Sequence, residues 1–90
     1  VAKISFTGSV PVGNIIIREA GIKKVTLELG GNAATYIDKS ADIAQAATKC
    51  AFGAFVNSGQ VCISLQRIYV HRDIYDKFAK QMVEQTSKLK

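Results

Sequence analysis

Two residues in this chain could form a nucleophile and its base. Cys62 lies in Ser58-Gly59-Gln60-Val61-Cys62 and Glu28 in Leu27-Glu28-Leu29-Gly30-Gly31, each where an apolar stretch meets glycine. An ordinary thiol has a pKa of about 8.5 and is only a few per cent thiolate at pH 7, so a nucleophilic cysteine needs a base or a favourable local field. Cys62 follows a Gly-Gln pair after a helical stretch, in a loop where a substrate could reach it. On spacing alone, a buried loop cysteine remains the stronger reading. Glu28 on an alternating strand would ordinarily face solvent, yet its place beside two glycines suits a general base at a strand end. Cys50 falls in the apolar stripe of a helix and reads as a small buried hydrophobe. His71, the only histidine, stands beside Arg72 and Asp73 at a strand exit and reads as a polar surface residue rather than a base.

A third segment, Phe6-Thr7-Gly8-Ser9-Val10-Pro11-Val12-Gly13, joins a strand to a helix. Gly8 would let the backbone turn sharply, Ser9 adds a hydroxyl, and free amides at the helix start can receive a phosphate. It is not a P-loop, because Asn14 and Ile15 follow Gly13 where a lysine and a hydroxyl residue would be needed, and it is not GxGxxG. Taken alone, a glycine-serine turn before a helix is more often mere capping than a phosphate site.

The elements that must position these residues follow from the periodicity. Ala2 to Phe6 alternates as a strand; Val12, Ile15, Ile16 and Ala20 then mark one face of a helix ending at Gly21. Lys24 to Leu29 alternates again until Gly30-Gly31 breaks it, and Ala33 to Ile37 reads as another strand. Ser40 is the expected cap of the next helix, with Asp42 in its first turn and Ile43, Ala47, Cys50, Ala51, Ala54 and Phe55 as its buried stripe. A strand through Ile68-Tyr69-Val70 precedes a last helix opened by Asp73, with Ile74, Phe78, Met82 and Leu89 on its stripe. The order is β-α-β, a double-glycine hinge, then β-α-β-α, which predicts an α/β fold with largely parallel pairing.

Composition limits the function. The chain has 90 residues, of which 48% are hydrophobic and 21% charged, as in a globular protein. A chain of this size buries only about 60 to 65% of the surface its unfolded form exposes, too little for a complete two-substrate site. The net charge of +5 is spread from Lys3 to Lys90 without a dense basic patch, so nucleic acid is not an expected partner. No apolar run approaches the roughly 20 residues of a membrane helix, and Val1 to Ser9 alternates where a signal peptide would not. Two cysteines without metal-type spacing or a disulfide framework suit a reducing cytosol or organelle interior.

Taken together and in order, Phe6-Thr7-Gly8-Ser9 with Gly13, Val25 to Gly31, and Gly59-Gln60-Val61-Cys62 resemble three signature segments of the NAD(P)-dependent aldehyde dehydrogenase superfamily. The resemblance spans the whole chain. It implies that Cys62 attacks an aldehyde to give a thiohemiacetal, that hydride passes to NAD or NADP, and that Glu28 activates the water that hydrolyses the resulting thioester. It further implies an oxyanion donor in the Cys62 amide, approach of Gly8 and Ser9 to the cofactor pyrophosphate, and close helix packing at Gly13. Leu29, Gly30 and Gly31 would lie near the nicotinamide, and Ile63 and Ser64 would line the substrate mouth.

The resemblance assigns residues 1–29 to the end of a Rossmann-like cofactor-binding domain and 30–90 to the start of the catalytic domain. Chains of this superfamily are several times longer, and the asparagine that completes their oxyanion hole has no counterpart here. The ninety residues therefore read as an internal piece of a cytoplasmic homo-oligomer acting on a small aldehyde, inactive without the rest of the subunit, and marginally stable unless copies associate because strand edges would be unpaired. Asn32-Ala33-Ala34-Thr35 departs from the lysine or serine-proline often found after the double glycine, a subgroup trait. A relative that passes the thioester to coenzyme A generally does not need the glutamate, so Glu28 favours hydrolysis. The alternative from another class is a small α/β phosphate- or nucleotide-binding module, holding its ligand at Gly8-Ser9 with Glu28 and Cys62 merely structural.

Overall fold

A computed structural model describes residues 1–90, which divide into two compact units, Val1–Gly31 and Asn32–Lys90. The first unit is a single β-α-β. Strand β1 (Lys3–Thr7) pairs in parallel with β2 (Lys24–Glu28), from Lys3 opposite Lys24 to Thr7 opposite Glu28. Ile4, Phe6, Val25 and Leu27 are half-buried while their neighbours are exposed, the alternation expected of strands with one covered face. Between them runs helix α1 (Val10–Ala20), with Ser9 at its N-cap, Pro11 in its first turn and Gly21 at φ 62° ending it.

The stripe predicted for α1 is only partly correct. Gly13 and Ala20 are buried and Ile16 is half-buried, but Val12 and Ile15 are exposed. The contacting positions are i, i+3 and i+7 beginning at Gly13, so the two fully buried positions are the small residues Gly13 and Ala20, with Ile16 between them.

The second unit has the order β3 (Ala33–Ile37), α2 (Ile43–Phe55), β4 (Leu65–Val70), α3 (Tyr75–Ser87), with short 3-10 turns at Val56–Gly59 and Arg72–Ile74. Strands β3 and β4 are parallel, and the chain is therefore α/β with parallel pairing in both units. Its core joins Ile37, Ala47, Cys50, Ile74 and Phe78, edged by Leu65, Ile68, Val70 and Met82. Ala33 pairs with Leu65 but Ala34 with Arg67, so Gln66 is an extra residue in β4. The bulge explains why Leu65 and Ile68, three apart, both reach the core. No helix is long and apolar enough to cross a membrane.

The helix starts differ from expectation. Asp42, not Ser40, caps α2: its carboxylate accepts the Gln45 amide at 3.0 Å. Ser40 is instead folded back on Asp38, donating both its amide (3.0 Å) and its hydroxyl (2.6 Å). These bonds, the hydroxyl first, hold the Asp38 carboxyl below its ordinary pKa. His71 rather than Asp73 opens the last helical segment, its Nδ1 accepting the Asp73 amide at 3.3 Å. Phe55 and Leu89 lie outside the buried stripes because α2 stops at Phe55 and α3 at Ser87.

Phe78 is 3% exposed within this core, and Phe78→Ala should destabilise the fold by about 3–5 kcal/mol. Loss of the cap in Asp42→Ala should cost about 1 kcal/mol. Urea denaturation of a full-length subunit carrying each variant should rank them in that order.

Candidate active site

Parallel strands deliver their C-terminal ends to the same edge of a sheet. In the first unit that edge carries Glu28, at the end of β2 and exposed, opposite Thr7 at the end of β1. One residue further, the Gly8 amide donates to the Glu28 carbonyl at 3.0 Å, which brings the glycine-serine turn and the glutamate backbone together. Gly8 does not have the positive φ that a sharp glycine turn would use. A Cβ there would come within 2.5 Å of the Phe6 ring, so what glycine provides here is room for that ring rather than a turn, and any side chain would have to displace the ring.

At Gly13 a Cβ would fall 2.9 Å from a Leu29 methyl, so Leu29 packs in the room that Gly13 leaves. Gly8, Gly13, Glu28 and Leu29 thus gather in one unit. Gly30 has nothing within 4 Å of where its side chain would stand.

The start of α1 fits an anionic group. Ser9 makes no capping bond with its side chain, and no acidic residue occupies the first turn. The positive end of the helix dipole is left uncompensated, with the Val10 and Val12 amides in its first turn. The Gly8 amide, already bonded to Glu28, is not among the donors there.

Cys62 belongs to the second unit, between the end of α2 and β4. After Phe55 the backbone passes through three consecutive left-handed residues, Asn57 (φ 51°), Ser58 (φ 56°) and Gly59 (φ 73°). Asn57 steadies this turn with its side-chain amide on the Gln60 carbonyl (3.2 Å) and its own carbonyl on the Gln60 amide (3.0 Å). A second turn follows, closed by the Ser64 amide donating to the Val61 carbonyl at 2.9 Å. Cys62 and Ile63 form its two corners, both exposed. The Cys62 amide stands outside the bond that closes the turn, as an oxyanion donor must.

Ser64, expected at the substrate mouth with Ile63, is 2% exposed, with its hydroxyl donating to the Ala54 carbonyl at 3.0 Å. Sequence reasoning missed this burial and the left-handed run before it. The Asn-Ser-Gly triplet after an apolar helix was the available signal, since Asn and Gly tolerate the left-handed region best.

The two thiols differ sharply. Cys50 is buried in the core, and desolvation pushes its thiol pKa up, while Cys62 is exposed. At pH 7 to 8, iodoacetamide should modify Cys62 and spare Cys50 until the protein is denatured, as read by peptide mass spectrometry. Equal native rates would contradict this arrangement.

The sequence profile of the aldehyde dehydrogenase family matches residues 1–90. Lactaldehyde dehydrogenase from Methanococcus aeolicus is 50% identical over the whole chain, and 3-sulfolactaldehyde dehydrogenase from Priestia aryabhattai 51% over 99% of it. The chain spans about a fifth, 19%, of the length of both relatives. Among solved structures, an indole-3-acetaldehyde dehydrogenase in complex with NAD+ superposes on the whole chain with a TM-score of 0.95 at 32% identity, the match covering 19% of that structure. With sequence and backbone matched from end to end, this chain belongs to the aldehyde dehydrogenase family.

Proposed function

We propose that these ninety residues form the catalytic junction of an NAD(P)-dependent aldehyde dehydrogenase, with Cys62 as nucleophile and Glu28 as the base for hydrolysis. Residues 1–29 are the end of its cofactor-binding domain and residues 30–90 the start of its catalytic domain. The observation that carries the reading is the exposed Cys62 at the corner of a bonded turn, while the other thiol is buried. Family membership over the full chain favours it over a phosphate-binding module without catalysis.

The chemistry is covalent and split into two steps. The Cys62 thiol gives up its proton to solvent, its sulfur bonds to the aldehyde carbon, and the carbonyl oxygen takes up the negative charge that the Cys62 amide helps to hold. When bound, the nicotinamide dinucleotide accepts the hydride lost from that carbon. Glu28 then takes a proton from water as the water attacks the thioester; the carbon–sulfur bond breaks, releasing the acid and restoring the thiol. Ser9 and the first amides of α1 would hold the dinucleotide's phosphates, with Leu29, Gly30 and Gly31 on its nicotinamide side.

Small hydroxylated aldehydes are the first substrates to test, since the relatives are named for lactaldehyde and 3-sulfolactaldehyde. Two free thiols suit a reducing, cytoplasmic setting. Each sheet has only two strands, so further strands from the rest of the subunit or from another copy must cover the edges.

In a full-length subunit containing these residues, Cys62→Ala should abolish turnover of lactaldehyde with NAD or NADP. Glu28→Gln should lower steady-state turnover by about 10²- to 10⁴-fold while a Cys62 acyl-enzyme accumulates and can be trapped for mass spectrometry. A Glu28→Gln enzyme that turns over at the normal rate would remove the base assignment.

A further inference from the structure

We propose that Ser64 is the positioning residue for the Cys62 nucleophile, acting by tying the turn that carries the thiol to the last turn of α2. The proposal rests on Cys62 being the nucleophile.

Within these ninety residues the shape of the loop from Phe55 to Ser64 is set by polar bonds, those of Asn57 with Gln60, of the Ser64 amide with Val61 and of the Ser64 hydroxyl with Ala54. Among these, the Ser64 hydroxyl makes the contact of greatest reach, spanning ten positions to the Ala54 carbonyl at 3.0 Å. Carbonyls in the last turn of a helix lack intrahelical donors. A buried hydroxyl is costly unless it is paired, so the two groups satisfy each other and the bond is favoured over any displaced position of the turn.

Gly59 strengthens the argument. A Cβ at Gly59 would stand 3.1 Å from the Ala54 oxygen and 3.7 Å from the Ser64 hydroxyl, so the left-handed run is wrapped around this same pair. The Ser64 amide simultaneously closes the Val61–Ser64 turn. One residue therefore holds both ends of the problem: its side chain fixes where the turn sits against α2, and its backbone fixes the turn's shape. Cys62 is two positions away, and both its sulfur and its amide inherit this placement.

The test uses a full-length subunit containing this segment, with lactaldehyde as substrate. Without the hydroxyl, Ser64→Ala should slow the pre-steady-state acylation of Cys62 about tenfold, because misplacing a reacting atom by a fraction of an ångström costs rate rather than affinity. The KM for aldehyde should stay within about twofold, and Ser64→Thr, which keeps the hydroxyl, should restore acylation. If Ser64→Ala does not fold, Ser64→Thr and Ser64→Val, near-isosteres that differ in the hydroxyl, carry the same comparison. Equal acylation rates with and without the hydroxyl would overturn the proposal, as would a loss that only follows the amount of folded protein. Wild-type enzyme that forms no acyl-enzyme at Cys62 would sink the nucleophile assignment itself; normal wild-type acylation with an unaffected Ser64→Ala sinks the role of Ser64 alone.

Discussion

The first unit depends on the parallel register of β1 and β2. The ladder ends with Thr7 opposite Glu28, and the Gly8 amide adds one bond to the Glu28 carbonyl. Side chains alternate between faces along a strand, so a slip of one residue would exchange the exposed Glu28 position for that of a leucine. The same pairing sets the start of α1 beside the glutamate, because only the single residue Ser9 follows Gly8 before the helix begins at Val10. Leu29 is then held by the space at Gly13. A carboxylate, its apolar neighbour and a helix start with an uncommitted hydroxyl are consequences of one strand pairing.

The second unit rests on small residues and on a change of backbone hand. Ala47, Cys50 and Ala51 are the buried positions of α2, and their size lets the helix lie close to the rest of the core around Phe78. The helix ends where Asn57 and Ser58 enter the left-handed region, at a cost of roughly 1 kcal/mol or more for each non-glycine residue. Such strain persists only where surrounding bonds determine it, and the Asn57–Gln60 and Ser64–Ala54 bonds do so here. Past the turn, the bulge at Gln66 resets the phase of β4 so that Leu65 and Ile68 face the core. Arg67 and Tyr69 are left on the other face, where the guanidinium reaches the Tyr69 hydroxyl (3.3 Å) and the Asn32 carbonyl (2.9 Å).

Much of this was legible in the order of residues. Alternation in Lys24 to Glu28 and the 3.6-residue spacing of Ala47, Cys50 and Ala51 identify a strand and a helix correctly, and the burial of Cys50 follows from its stripe. The caps were not legible. Asp38, Ser40 and Asp42 are all capping types within five residues, and which one faces the helix depends on the turn that the first two make with each other. Glycine at position 8 makes room for the Phe6 ring packed against it rather than a turn of positive φ, a contact that no local pattern shows. The bulge at Gln66 left no mark in the alternation that would separate it from an ordinary strand start.

The sequence by itself determined the order of elements, their α/β class and which thiol lies in a loop, because periodicity and glycine punctuation act over a few neighbouring residues. Only the tertiary structure decided that Ser64 is buried, that Glu28 shares an edge with Gly8, and that Gly13 gives its space to Leu29. Those contacts join residues ten or more positions apart. Their energies come from desolvated hydrogen bonds and close packing, which leave no local pattern to read until the chain has folded.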